Sequence, residues 1–486
     1  MCAGVGSDSA LRGQGSHSAG DNVRSNRLQK QDGVAAWRLT AIAAVTVLTF
    51  AAAEAMADST VAGKPVEAFV EVPMPPGFRV EATELDGPVF ADAQGHTLYI
   101  WPLKPMRNGQ SGEAKGIPAC YGEVRTETAG MMSPYPPGLE LPELATRPSC
   151  TDLWPPVLAA ADAKPVGKWS IVDRKDGKKQ WAYDEQALYT SSKDSKPGDV
   201  MGGTTRQFGQ DSPAFRIPAK PPSKVPPGFA VKTTSVGRLL TTDKNYSVYA
   251  YDKDTPQKSM CDEACTQSWK PLLAPQLAQA QGEWSVIERS PGVMQWVFRN
   301  QPLYTHVLDS RQWSFEGSDT PGWSNVFVQR APEPPAGFTA QDTLQGQTLA
   351  DARGMTIYRY VCGDDSLDQL SCDHPDDTQV YRLAMCGGGD AARCLKHWPY
   401  LLAEPGAKAS SRTWSIMQID PKTGHRAASG ASDALSVWAY LDRPVYTYAG
   451  DQEPGDVNGS ATGEWRGQRN GLKAFWLRDD HFGGHL

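Results

Sequence analysis

Apolar and polar residues alternate along this chain in short runs, broken repeatedly by Gly, Pro, Asn and Asp. That pattern predicts strands and turns rather than long helices. Thr97-Leu98-Tyr99-Ile100-Trp101 is one such run, and a period of two places Tyr99 and Trp101 on one face. It recurs as Ser247-Val248-Tyr249-Ala250-Tyr251 and as Thr356-Ile357-Tyr358-Arg359-Tyr360. A second recurring block opens at Trp169-Ser170-Ile171, Trp284-Ser285-Val286 and Trp414-Ser415-Ile416. Each leads to another tryptophan (Trp181, Trp296, Trp438), then an aromatic two positions on (Tyr183, Phe298, Tyr440). A tyrosine follows (Tyr189, Tyr304, Tyr446), and then an aspartate (Asp194, Asp309, Asp451) at constant spacing. Asp176-Gly177 predicts a tight hairpin inside the first block, and Pro291-Gly292 stands there in the second. The third has a longer loop with Gly424, His425 and Gly430. The one helix signal runs from Leu273 to Gln281.

A period of about 110–150 residues is too long for a solenoid or propeller blade, so each copy reads as a small domain. Pro-rich stretches ending in Gly-Phe precede each copy, at Pro75-Pro76-Gly77-Phe78, Pro226-Pro227-Gly228-Phe229 and Pro334-Pro335-Ala336-Gly337-Phe338. They set the expected boundaries: a leader and signal over 1–57, then copies over 58–220, 221–332 and 333–486. A length of 486 residues independently predicts about three domains. The expected fold is mainly β: three tandem small antiparallel β domains with disulfide-pinned loops and little helix.

Arg38 precedes an apolar stretch from Leu39 to Ala53, and Ala55-Met56-Ala57 follows before Asp58. This reads as a secretory signal cleaved after Ala57, giving an exported (periplasmic or secreted) product. Membrane contact is expected only if that segment is retained uncleaved, since it is short for a span. Removal of the leader takes Cys2 with it and leaves Cys120, Cys150, Cys261, Cys265, Cys362, Cys372, Cys386 and Cys394. An even count in an exported chain suggests disulfides. Cys120–Cys150 and Cys261–Cys265 are the expected pairs, with Cys362–Cys372 and Cys386–Cys394 favoured in the third copy. Cys150, Cys265 and Cys394 each stand four residues before a tryptophan, at Trp154, Trp269 and Trp398.

The tyrosine-to-aspartate spacing also occurs at the first strand of copy two, as Tyr249, Tyr251 and Asp254, so each copy reads as two related halves. Lys104 and Gly363 stand at the matching position of copies one and three, where the first half looks eroded. Together, the Tyr-x-aromatic-x-x-Asp signature, the Cys-x-x-x-Trp-(Pro/Lys)-Pro block and the Gln-Trp…Pro-Leu-Tyr block resemble the bacterial secreted-repeat family. That family is also described as predicted lipoproteins with a Tyr-x-(Phe/Trp/Tyr)-x-x-Asp motif. The resemblance implies an exported β-rich module and supplies no activity or catalytic residue. The chain departs from the lipoprotein form, because no cysteine follows the apolar segment.

Candidate ligand-binding residues are Tyr249, Tyr251, Asp254, Tyr304, Asp309, Tyr446, Tyr448 and Asp451. The rival reading is structural: tyrosines buried with their hydroxyls bonded, aspartates accepting turn N–H groups. Rings outside the shared pattern, Tyr135, Trp313, Trp323 and Trp476, are the candidates for exposure. The acidic run Asp364, Asp365, Asp373, Asp376 and Asp377 lacks the spacing of a calcium loop. The histidine tail (His481, His485) and Met131-Met132 are weak metal signals, so the metal is unknown and no cofactor is implied by motif. No P-loop, His-Glu-x-x-His, Gly-x-Ser-x-Gly or dinucleotide fingerprint occurs. A net charge of −7 argues against nucleic acid as partner. The expected role is non-catalytic binding or scaffolding at the cell envelope, with an envelope protein or polymer as partner. The alternative is a periplasmic enzyme, or a redox or metal-handling accessory, with a site between repeats.

Overall fold

The protein is described by a computed structural model over residues 60–61, 64–101, 113–122, 149–202, 216–309, 316–343, 346–361, 391–461 and 471–479. Copy two shows the repeated unit most completely. Its Pro-Pro-Gly-Phe approach is a turn in which the Phe229 N–H donates to the Pro226 carbonyl, with Gly228 at φ 92°. A proline that presets φ, followed by a glycine in the left-handed region, suits a type II turn. Copies one and three repeat it, with Gly77 at φ 90° and Gly337 at φ 92°. The turn delivers Phe229 onto Trp284 (ring centroids 4.7 Å) and Trp296 (6.2 Å). Phe78 meets Trp169 and Trp181 in the same way, and Phe338 meets Trp414 and Trp438. The linker phenylalanine therefore caps the paired tryptophans of its own copy.

An entry hairpin follows, Phe229–Thr234 against Gly237–Thr242. Trp284–Ser290, Val293–Phe298 and Leu273–Ala274 form a second small antiparallel sheet. After the second tryptophan the chain reverses through Arg299 (φ 47°) and Asn300 (φ 64°). Asp184-Glu185 and Leu441-Asp442 occupy the same two-residue turn with both φ positive, as a type I′ hairpin requires. The sheets are small, antiparallel and accompanied by little helix, as the alternation predicts.

The segment from Leu273 to Gln281 is not a helix. Leu273–Ala274 is a two-residue edge strand, and a turn closes on the Pro275 carbonyl. The Leu272 backbone already bonds Leu303 and Trp296 in the sheet, and Pro275 disfavours the helical region for Ala274 before it. Short helices occur instead ahead of the third recurring tryptophan of copies one and three, at Cys150–Leu153 and Ala391–His397. Ser149 and Asp152 form a reciprocal capping box on the first of these.

Disulfides join Cys120 to Cys150 and Cys261 to Cys265. Cys394 is also disulfide-bonded; Cys362, Cys372 and Cys386 lie outside the described residues.

Residues Ala57–Leu486 form one compact unit in which each copy touches both others. Between copies one and two, Arg238 Nε donates to Glu67 Oε2 at 2.6 Å and Nη2 to Oε1 at 3.1 Å, with both side chains almost fully buried. Gln329 Nε2 also reaches the Thr83 carbonyl at 2.6 Å. Copies two and three meet where Ser235 Oγ donates to the Trp476 carbonyl and where Arg478 pairs with Asp319. Copy one returns to copy three through its entry hairpin turn. There the Glu84 carboxylate accepts the Arg412 and Thr413 N–H groups and the Thr413 hydroxyl. The neighbouring Leu85 is buried in the cluster of Leu349, Ile357, Trp414 and Phe475, so one copy completes the core of another.

Candidate functional site

The signature residues of copy two gather around a four-stranded sheet. Its order is Trp269–Pro271, Tyr304–His306, Tyr249–Tyr251, Trp323–Asn325. Read by halves, the order is palindromic: each half supplies one tyrosine strand and one tryptophan strand, and each tryptophan strand pairs with the other half's tyrosine strand. Tyr249 and Tyr304 face one another across the central antiparallel pair. Tyr99 and Tyr189 in copy one, and Tyr358 and Tyr446 in copy three, do the same.

The hydrogen bonds obey that local two-fold. The Tyr249 hydroxyl donates to Asp309 of the second half, at 2.9 Å to Oδ2. The Tyr304 hydroxyl donates to Asp254 Oδ2 of the first half at 2.6 Å. Each tyrosine therefore bonds the partner half's aspartate rather than the one five positions along its own strand. Copy one has Tyr99 donating to Asp194 Oδ2 at 2.8 Å, and copy three has Tyr358 donating to Asp451 Oδ2 at 2.8 Å. The reciprocal bond of copy one runs from Tyr189 to Glu113. The first half of copy one thus keeps a carboxylate, delivered as Glu113 from a different loop position; Lys104 lies outside the described residues.

The other carboxylate oxygen is held by backbone. Met201 N–H donates to Asp194 Oδ1 at 2.8 Å, Met260 N–H to Asp254 Oδ1 at 2.6 Å, and Asn458 N–H to Asp451 Oδ1 at 3.0 Å. Gly202 and Gly459 N–H groups donate to the Tyr99 and Tyr358 hydroxyls. A Cβ at Gly459, or at Gly317 in copy two, would collide with the tyrosine and tryptophan rings, which is why glycine stands there.

The same palindrome stacks aromatic rings in copy two. Tyr251 lies on Trp323 (4.4 Å, 12°), Trp323 on Trp269 (3.7 Å, 2°) and Trp269 on His306 (4.3 Å, 33°). Trp323 is therefore buried as the second-half counterpart of Trp269, which corrects the expectation that it is an exposed ring. Its signal was faint, because no cysteine block precedes it. At the register of Trp323, copy one carries Arg216, whose guanidinium lies 4.9 Å from the Trp101 ring and 5.6 Å from Trp154. Copy three carries the buried Leu472 there. Trp476 is half-buried against the copy-three core rather than exposed, and Tyr135 and Trp313 lie outside the described residues. Among the proposed ligand residues, Tyr249, Tyr304, Tyr446, Asp309 and Asp451 are buried. Tyr251, Asp254 and Tyr448 are half-buried, with Tyr448 lying against Trp398 at 4.4 Å. Among the described residues no group of acidic, histidine or cysteine side chains is placed to hold a metal. The acidic run of copy three and the histidine tail lie outside them.

Three segments of the chain match the sequence model of a family described as a secreted repeat of unknown function: residues 170–210, 230–273 and 432–467. These segments are secreted repeats. Each contains one Tyr-x-x-x-x-Asp unit, from Tyr189, Tyr249 and Tyr446 respectively. A secreted repeat therefore corresponds to half of a copy, and the structure pairs each one with a diverged partner across the local two-fold. No curated protein and no solved structure matches the chain. No helix among the described residues is long and apolar enough to cross a membrane. The secreted repeats fit an exported protein.

Burial governs the ionisation of the braces. It pushes the Asp194 carboxyl up to about 7, although the Tyr99 hydroxyl and the Met201 N–H pull the other way. Asp254 and Asp451 are raised by the same cause. Burial also raises Tyr304 to about 12 and lifts Tyr99 well above the ordinary phenol value. A carboxyl whose pKa is higher folded than unfolded binds its proton more tightly in the native state. Its contribution to stability is fully present below about pH 4 and is lost as pH rises through about 7. Thermal melts across pH 4–8 should therefore show a fall in stability toward neutrality that Asp194→Asn makes shallower. An unchanged slope in that variant would contradict the assignment.

Proposed function

We propose that the protein is an exported, non-catalytic scaffold of the cell envelope, its signal removed after Ala57, that binds an envelope protein through one surface feature repeated in every copy. That feature is a leucine on a short edge segment just after the cysteine-linked tryptophan. Leu158, Leu273 and Leu402 are 47%, 58% and 55% exposed, and pair with Gln180, Gln295 and Val437 at the same register. Single exposed leucines are ordinary on a protein surface. The same leucine exposed at the same register in all three copies is the observation that carries the reading. An aliphatic side chain at a sheet edge suits an apolar protein surface better than sugar hydroxyls, and three such contacts on one compact unit raise effective concentration. The tyrosine–carboxylate pairs support the scaffold reading, because their hydrogen-bonding capacity is spent inside each copy.

Fractionation of the producing cell, with N-terminal sequencing of the mature chain, tests location; a start at Asp58 outside the cytoplasm is expected. Cross-linking in cells should capture an envelope protein with the native chain. The triple variant Leu158→Ser, Leu273→Ser, Leu402→Ser should lose it while keeping its circular dichroism. Retention of the native chain in the cytoplasm, or equal capture by the triple variant, would overturn the proposal.

A further inference from the structure

We propose that the Cys261–Cys265 bridge of copy two is a thiol–disulfide exchange site for protein dithiols, whereas Cys120–Cys150 is a structural tie. The two bridges differ in span and exposure. Cys120 and Cys150 are separated by 30 residues and are both buried. Cys261 and Cys265 are separated by 4, with Cys261 buried, Cys265 half-buried and the intervening Asp262, Glu263 and Ala264 exposed. A ring this small removes less chain entropy from the unfolded state than a long one. Opening it therefore costs the fold less, and one sulfur is reachable from solvent.

The surroundings hold both cysteines in place without the bond. Arg289 Nη2 donates to the Cys261 carbonyl at 2.6 Å, and Nη1 to Ser259 Oγ at 2.5 Å. The Cys265 N–H donates to Asp262 Oδ1 at 2.9 Å. Just beyond, the Trp269 strand pairs with the Tyr304 strand and its ring lies in the aromatic stack. Arg174 makes the equivalent contact with the Cys120 carbonyl at 3.0 Å. The copies therefore differ at these bridges in exposure and ring size, not in the neighbouring guanidinium.

In the exchange, a partner thiolate attacks Cys265 Sγ. A new S–S bond forms, the Cys261–Cys265 bond breaks, and its electron pair leaves on Cys261 as a thiolate. The partner's second thiolate then attacks its own sulfur in the mixed disulfide and releases the Cys265 thiolate. Two protons from the partner's thiols end on the two cysteines. The partner leaves as a disulfide and the bridge is reduced by two electrons; the reverse sequence re-forms the bridge and reduces a partner disulfide.

The test uses the folded mature chain in graded reduced and oxidised glutathione, followed by alkylation and peptide mapping. Cys261 and Cys265 should be labelled together about 100-fold faster than Cys120 and Cys150, with circular dichroism unchanged. A thioredoxin variant that keeps only its attacking cysteine should open the native bridge and be retained as a mixed disulfide at Cys265 once the released Cys261 thiol is alkylated. Labelling of the two bridges at the same reductant strength, or only with loss of fold, would overturn the assignment. A Cys261→Ala, Cys265→Ala double variant that melts as early as Cys120→Ala, Cys150→Ala would overturn it too. Neither readout depends on the envelope partner, so failure here is distinguishable from failure of the scaffold reading.

Discussion

Arg238→Met should destabilise the protein by about 3–5 kcal/mol, because it leaves the Glu67 carboxylate buried without its cation. Glu67 sits between copies one and two, and its remaining described partner is the Ser223 hydroxyl. Gly87 packs against this pair, where a Cβ would come within 2.7 Å of Glu67 Oε2; the site has little room for water to compensate. Pairing the change with Glu67→Gln should recover most of the loss, since neutralising both partners removes the unmatched charge. Denaturant unfolding of the two single variants and the double closes the cycle. A single-variant loss below about 1 kcal/mol, the range of exposed pairs, would show that the pair is solvated.

Trp269→Ala should cost a similar amount, about 3–5 kcal/mol, for a different reason. The indole is buried between Trp323 and His306 and meets Tyr249 edge-on at 5.3 Å. Its removal opens a cavity at the centre of the palindrome and unseats Tyr249, whose hydroxyl reaches Asp309. Near-ultraviolet circular dichroism reports the lost ring stacking, and a thermal melt reports the stability. Trp269→Phe should retain the larger part of both. A near-native melt for the alanine variant would mean that the stack contributes little to the fold.

Local features were legible in the sequence and non-local ones were not. The Pro-Pro-Gly-Phe turn, the Asp176-Gly177 hairpin and the Cys261–Cys265 bridge are set by residues close together, so composition and spacing expose them. The helix expected over Leu273 to Gln281 is absent because sheet hydrogen bonds at Leu272, and the extended conformation that Pro275 favours at Ala274, outweigh local propensity. At the candidate site the residues were visible but their partners were not. Constant spacing between Tyr249 and Asp254 says nothing about which aspartate a given hydroxyl meets; the antiparallel register of Tyr249 with Tyr304 decides that. Glu113 escaped notice because it performs the role with another residue type at another spacing. Trp323 and Arg216 share a position defined by the strand opposite them, which a linear repeat pattern does not reveal.

Leu85 and Glu84 make the third copy depend on the first. The first copy plugs the interior of the third, so a third copy produced without the first would expose Leu349, Ile357 and Trp414 where Leu85 now covers them. A copy cut out of this chain is therefore not a self-sufficient folding unit.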